Sequence, residues 1–141
     1  RPLAVAVGNL RGDGSEDLVV ACRQRFEDGE CSWVYWGSEA GYDDGRRSPL
    51  RNTRVCDVAV GDLDGDGRDE IVAGDRGDTQ SVYLYSATDP DGETWSRHVV
   101  DDGDMAASSC AVEDLNADER LDIVCIGSGT ANLKWYENVT R

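Results

Sequence analysis

Val, Ala, Leu and Ile fall along the chain in short runs, each closed off by Gly or by acidic residues. Asp17-Leu18-Val19-Val20, Glu70-Ile71-Val72-Ala73 and Asp122-Ile123-Val124-Cys125 are three of these runs. Each is preceded, across a polar loop, by another Val/Ala/Leu-rich stretch. Short β-branched runs bounded by turn residues are strand signals. An aromatic-rich run then follows each: Ser32 to Trp36, Ser81 to Tyr85, and Asn132 to Tyr136. Such strands suit the space between packed sheets. Trp95 to Val100 reads as a fourth strand, with a weaker counterpart around Arg51. No segment carries a helical period, so the expected class is all-β.

The runs are copies of one unit. VAVGNLRGDGSEDLVVA from Val5, VAVGDLDGDGRDEIVAG from Val58 and CAVEDLNADERLDIVCI from Cys110 align without gaps. Their loops begin at Asn9, Asp62 and Asp114, a period of 53 and then 52 residues. The chain therefore divides into repeats at about 1–53, 54–105 and 106–141, the last ending after its third strand. A four-stranded antiparallel sheet of this length matches one blade of a β-propeller. A blade gains stability from its neighbours, and propellers typically need about 4–8 blades to close. The expectation is a piece of a larger propeller, or a unit that closes by self-association.

The loops carry the candidate chemistry. In the middle loop, oxygen-bearing side chains stand at positions 1, 3, 5 and 9: Asp62, Asp64, Asp66 and Glu70. Hard cations such as Ca²⁺ take about 6–8 oxygen ligands, and alternate positions of a tight turn point inward. Gly65 and Gly67 permit the left-handed backbone such a turn needs. Arg68, at position 7, would offer its carbonyl, and Leu63 would anchor the loop to the core. Four carboxylates within about 5 Å repel by several kcal/mol, which a divalent ion relieves. The competing reading is an Asp-Gly turn without metal. The third loop offers Asp114, Asn116, Asp118 and Asp122, with Arg120 at position 7 and Glu119 where a glycine is expected. The first is weaker: Asn9, Asp13 and Asp17 fit, but Arg11 occupies position 3. Its guanidinium would either sit beside an ion or replace one by pairing with Asp13 or Asp17.

These loops resemble the FG-GAP/VCBS repeats, the calcium-loop propeller repeats found also in integrin α-chain heads, whose loop runs D-x-[DN]-x-D-G-x-x-D. Trp33-Val34-Tyr35-Trp36-Gly37-Ser38 with Gly41-Tyr42, Lys134-Trp135-Tyr136-Glu137-Asn138, and Trp95-Ser96-Arg97-His98-Val99-Val100 are similar to other stretches of bacterial secreted members. The resemblance covers nearly the whole chain and implies a propeller fold with bound calcium. It leaves function open, since such propellers serve as adhesion heads, lectins, and scaffolds of lyases and dehydratases.

Charge narrows the partners. The 141 residues hold 29 Asp plus Glu against 14 Lys plus Arg, a net charge of −15, which repels nucleic acid and anionic membranes. No apolar run approaches the roughly 20 residues of a membrane span. The chain opens at Arg1 without a signal-like segment, so it is expected to be a mature portion or a fragment. None of the five cysteines forms a C-x-x-C pair, which argues against zinc. Cys110 with Cys125, and Cys22 with Cys31, flank loops and would form either cross-strand disulfides or buried thiols, leaving Cys56 single. His98, the only histidine, lies in an expected edge strand and reads as a surface residue. Trp33, Tyr35, Trp95 and Trp135 would stack on sugars or pack between blades. Strand alternation sets Trp33 and Tyr35 opposite Val34 and Trp36. The expected function is a secreted or cell-surface, calcium-binding module for protein or glycan ligands. The alternative is the propeller portion of a polysaccharide lyase or sugar dehydratase.

Overall fold

Period-2 alternation gives each apolar run two faces, and a sheet flanked on both sides buries both. The computed structural model describes residues 2–22, 32–50, 55–77 and 79–140. Among these, three antiparallel sheets follow chain order. The first blade holds β1 (Pro2–Gly8), β2 (Asp17–Cys22), β3 (Ser32–Tyr35) and β4 (Arg47–Leu50). The second holds β5 (Asp57–Gly61), β6 (Glu70–Asp75), β7 (Ser81–Ala87) and β8 (Trp95–Asp101), and the third β9 (Ala107–Glu113), β10 (Asp122–Gly127) and β11 (Asn132–Tyr136). The sheets do not close into a ring. The architecture is all-β, an open row of propeller blades, with no helix among the described residues.

One strand differs from its expected place. The fourth strand of the first blade runs Arg47–Leu50, ahead of Arg51, which lies outside the described residues. Pairing resumes early because the Trp36 N–H bonds the Arg46 carbonyl, which brings Arg47 opposite Tyr35.

The blades stack through their inner strands, β5 lying against both β1 and β9. Every residue of β6 is buried, since that strand has a blade on either side. Ile71 and Ala73 face the core of the first seam with Leu10, Val34 and Trp36. Val72 faces the second with Val82, Met105 and Ile123. The loop leucines record the same order. Leu10 is fully buried and Leu63 half-buried, whereas Leu115, on the blade without a described neighbour, is 46% exposed. Leu3, Val5 and Val7 on β1, and Leu133 and Trp135 on β11, are likewise exposed on the outer flanks.

Close approach of blades requires glycine at the end of the inner strand. A Cβ on Gly61 would lie 2.7 Å from Val112 Cγ1 and 2.9 Å from Leu121 Cδ1. Gly8 stands in the same relation to Val60 and Asp69 across the first seam. The matching residue of the third blade is Glu113, which is exposed. Polar bonds reinforce both seams. The Asn9 and Asp69 backbones are linked by an N–H···O=C bond of 3.0 Å, and the Cys110 N–H donates to Asp57 Oδ2 at 2.7 Å.

Cys110 and Cys125 are directly opposite on β9 and β10, with Cα atoms 4.2 Å apart, and are joined by a disulfide. Cys22 is buried at the end of β2, and its pairing with Cys31 falls outside the described residues. Cys56 is a free, half-buried thiol.

Gly61→Val is expected to cost about 1–3 kcal/mol by overpacking the second seam. Glu113→Val, at the matching uncovered position, is expected to change stability by under about 0.5 kcal/mol. Urea unfolding of the two variants checks the contrast.

Candidate metal centre

One hydrogen bond recurs in all three loops. The N–H of the position-2 leucine donates to the carboxylate that opens the second strand: Leu10 to Asp17 at 3.2 Å, Leu63 to Glu70 at 2.8 Å, and Leu115 to Asp122 at 3.2 Å. All three acids are buried. The loops differ in what occupies the rest of that carboxylate.

In the middle loop, Glu70 Oε2 also accepts from the Asp64 N–H at 3.2 Å, and Oε1 accepts from no described residue. Asp62, Asp64 and Glu70 each present a carboxylate oxygen within 4.8 Å of the others, the one such acidic group among the described residues. The turn is shaped by its own acids: Asp62 Oδ1 accepts from the Gly65 and Asp66 amides, and Asp62 Oδ2 from Gly67. Gly65 (φ 78°) and Gly67 (φ 89°) take the left-handed conformation expected of them. Asp66 stands outside the group, its Oδ1 accepting from the Arg68 N–H. The Arg68 side chain leaves the loop altogether, donating to the Leu10 carbonyl across the first seam and to the Asp89 carbonyl.

Burial pushes the Glu70 carboxyl up to about 7 against the pull of the Leu63 and Asp64 amides, and the charges of Asp64 and Asp66 add to the rise. Asp64 is raised as well, first by loss of water around its carboxyl, with the charges of Asp66 and Asp62 adding to it. Oxygen-only donors, mutual repulsion and an open oxygen on a buried acid fit a hard divalent cation. The cluster can hold a metal ion.

In the first loop a guanidinium takes the corresponding place. Arg11 Nη2 donates to Asp17 Oδ1 at 3.1 Å and to the Gly37 carbonyl at 2.9 Å, and Nε lies 3.6 Å from Asp13 Oδ2. The Gly37 N–H occupies Asp17 Oδ1 as well, and Asn9 Oδ1 accepts from Gly14 N–H. Asp13 and Asp17 thus both pair with Arg11, while Asn9 braces the turn through the Gly14 amide.

The third loop does not bring its acids together as the middle one does. Asp122 Oδ1 accepts from the Asn138 N–H, and its pKa is lowered, chiefly by that amide and also by that of Leu115. Asp114 Oδ1 and Oδ2 accept from the Asp118 and Glu119 amides. Asn116 donates to Asp118 and Glu137, and the Arg120 side chain pairs with Asp118 at 2.6 Å. Ala117 (φ 61°) and Glu119 (φ 67°) adopt the left-handed backbone that glycines supply in the other loops. For a side-chain-bearing residue that costs about 1–2 kcal/mol each.

Family comparison bears on these loops directly. Residues 9–73 and 62–125 each match the model of an FG-GAP-like repeat. The chain belongs to the FG-GAP-like repeat family. No curated protein matches it. Each FG-GAP-like match starts at the first residue of a loop and runs into the second strand of the following blade, so each spans a seam. The family supports a propeller-like module, in agreement with the open row of blades.

The remaining sequence candidates separate. Val34 and Trp36 are buried in the first seam, while Trp33 and Tyr35 lie under the Arg47 guanidinium, 3.9 and 5.7 Å from their ring centroids. Trp95 packs on the first core, and Trp135 is 48% exposed. His98 is exposed on β8, opposite Leu84. A cross-seam cluster had no signal in the spacing. Lys134 Nζ donates to Asp101 and Asp104, and Tyr136 Oη donates to Asp101, across separations of 30 to 35 positions.

The raised Glu70 pKa makes the stability of the ion-free protein depend on pH. A carboxyl protonated more readily when folded contributes stability that is fully present below its unfolded value of 4.5. That contribution is lost as pH rises through about 7. In chelator, urea midpoints of the wild type are therefore expected to fall between pH 5 and about 8 relative to those of Glu70→Gln, which lacks this titration.

Proposed function

We propose that this chain is a calcium-stabilised propeller module that acts by binding, outside the cell, with calcium held by the middle loop. The observation that carries the reading is the cluster of Asp62, Asp64 and Glu70, whose oxygens converge within 4.8 Å while Glu70 is buried. Asp66 and the Arg68 carbonyl stand in the same turn as further donors. An ion there neutralises acids that otherwise repel and ties β5 to β6 at the blade face where the loops emerge. The role is structural: the loop stiffens a surface that presents a ligand site.

The third loop is the weaker site in this reading. Arg120 already neutralises Asp118, and Asn116 replaces one carboxylate, so an ion at Asp114, Asn116, Asp118 and Asp122 competes with an existing pair. The middle loop fills first. The Cys110–Cys125 disulfide and the net charge of −15 support an oxidising, calcium-rich surrounding. The ligand class proposed is a protein or a glycan met at the cell exterior.

An ion that binds only the folded state adds about 2.7 kcal/mol at a hundredfold excess over Kd. Asp64→Ala is accordingly expected to lower the melting temperature strongly in millimolar calcium and little in EGTA. Equal losses in the two buffers would refute a calcium ion in the middle loop.

A further inference from the structure

We infer that the cleft between the second and third blades is a binding pocket for a planar aromatic ring carrying an N–H donor, of the indole class. The inference rests on the repeat itself and does not depend on an ion in the loop. Strand pairing sets Tyr35 opposite Leu18, Tyr85 opposite Ile71, and Tyr136 opposite Ile123, so the three tyrosines are equivalent positions. The next residue is Trp36 in the first blade and Ser86 in the second. Pairing likewise sets Ser48 opposite Val34 and His98 opposite Leu84, which makes Ser48 and His98 equivalent.

In the first seam this place is filled by the chain's own indole. Trp36 is buried in the core with Leu10, Leu50, Ile71 and Tyr85, and its Nε1–H donates to Ser48 Oγ at 2.9 Å. Its tip reaches the β7–β8 loop so closely that a Cβ on Gly92 would overlap Cη2. Its ring lies 5.0 Å from the Arg11 guanidinium carbon.

In the second seam the equivalent walls are present and the indole is not. Leu63, Leu84, Val100, Ile123 and Tyr136 line a cavity of about 300 Å³, with Ser86 at the position of Trp36 and His98 at that of Ser48. That volume is in the range of small-ligand pockets, and the apolar walls suit a flat ring, while Glu137, Asn138 and Thr140 join Asp64 and Glu70 as its polar rim. The His98 imidazole supplies the acceptor that Ser48 supplies to Trp36. Asp64 and Glu70 lie at the loop side of the cavity, as Arg11 lies beside Trp36.

Indole is the probe. Ligand-observed NMR on the full chain is expected to show saturable binding in the millimolar range, with a rise in melting temperature. Ser86→Trp is expected to fill the cavity, raise the melting temperature without ligand and abolish binding. His98→Ala is expected to weaken binding about fivefold, the loss of one hydrogen bond. Where circular dichroism shows Ser86→Trp unfolded, Ser86→Phe fills the same space. No saturable binding to wild type, or binding undiminished in a folded Ser86 variant, overturns the assignment.

Discussion

The bond from a leucine amide to a buried carboxylate, made once in each blade, is the constraint on which the remaining features depend. A buried acid accepting amide hydrogen bonds is strongly favoured over one left unpaired, and losing such a bond costs about 1.5–3 kcal/mol. It draws Asp17, Glu70 and Asp122 under their loops and so sets a buried carboxyl group at the centre of each hairpin. Each blade must then satisfy the rest of that group. The first does so with the Arg11 guanidinium, the third with the amide of Asn138. The second leaves one oxygen of Glu70 open among two further acids, which is why the acidic group able to hold a metal ion lies there among the described residues. Glutamate at this position, one methylene longer than its counterparts, accepts both the Leu63 and the Asp64 amides.

The same comparison explains how three hairpins of one design are tied. Val5 faces Val20, Val58 faces Ala73, and Cys110 faces Cys125, all at one register. Only the last pair forms a covalent bond. The third blade, whose turn carries strain at Ala117 and Glu119, is thus the one with a disulfide beneath it. Constraint of the unfolded chain by a closed loop is worth about 3 kcal/mol for a loop of this length, enough to offset the strained turn.

Between blades, the glycines at the ends of β1 and β5 and the large residues facing them make each seam a close fit. A dense interior tolerates few voids. Against that background the space beside Ser86 stands out, because its counterpart is filled by Trp36. The seam is therefore repeated in backbone and changed in side chain, which is how one scaffold acquires distinct sites.

The repeat, its strands and the acidic loops were legible in the sequence because they rest on local rules: period-2 alternation, glycine where the backbone turns left-handed, and a spacing that recurs. Gly65 and Gly67, and the strain at Glu119, follow from that alone. What only the tertiary structure decided depends on reach across a seam or a hairpin. Whether Arg11 pairs with an acid or accompanies an ion turns on Gly37, 26 residues away, whose carbonyl orients it. Asp122 is satisfied by Asn138, itself anchored to the Leu63 carbonyl from 75 residues away. The middle cluster stays open because no such donor among the described residues meets Glu70 Oε1. Which carboxylate is satisfied, and which cavity is filled, is a property of packed neighbours, and one-dimensional spacing does not encode it.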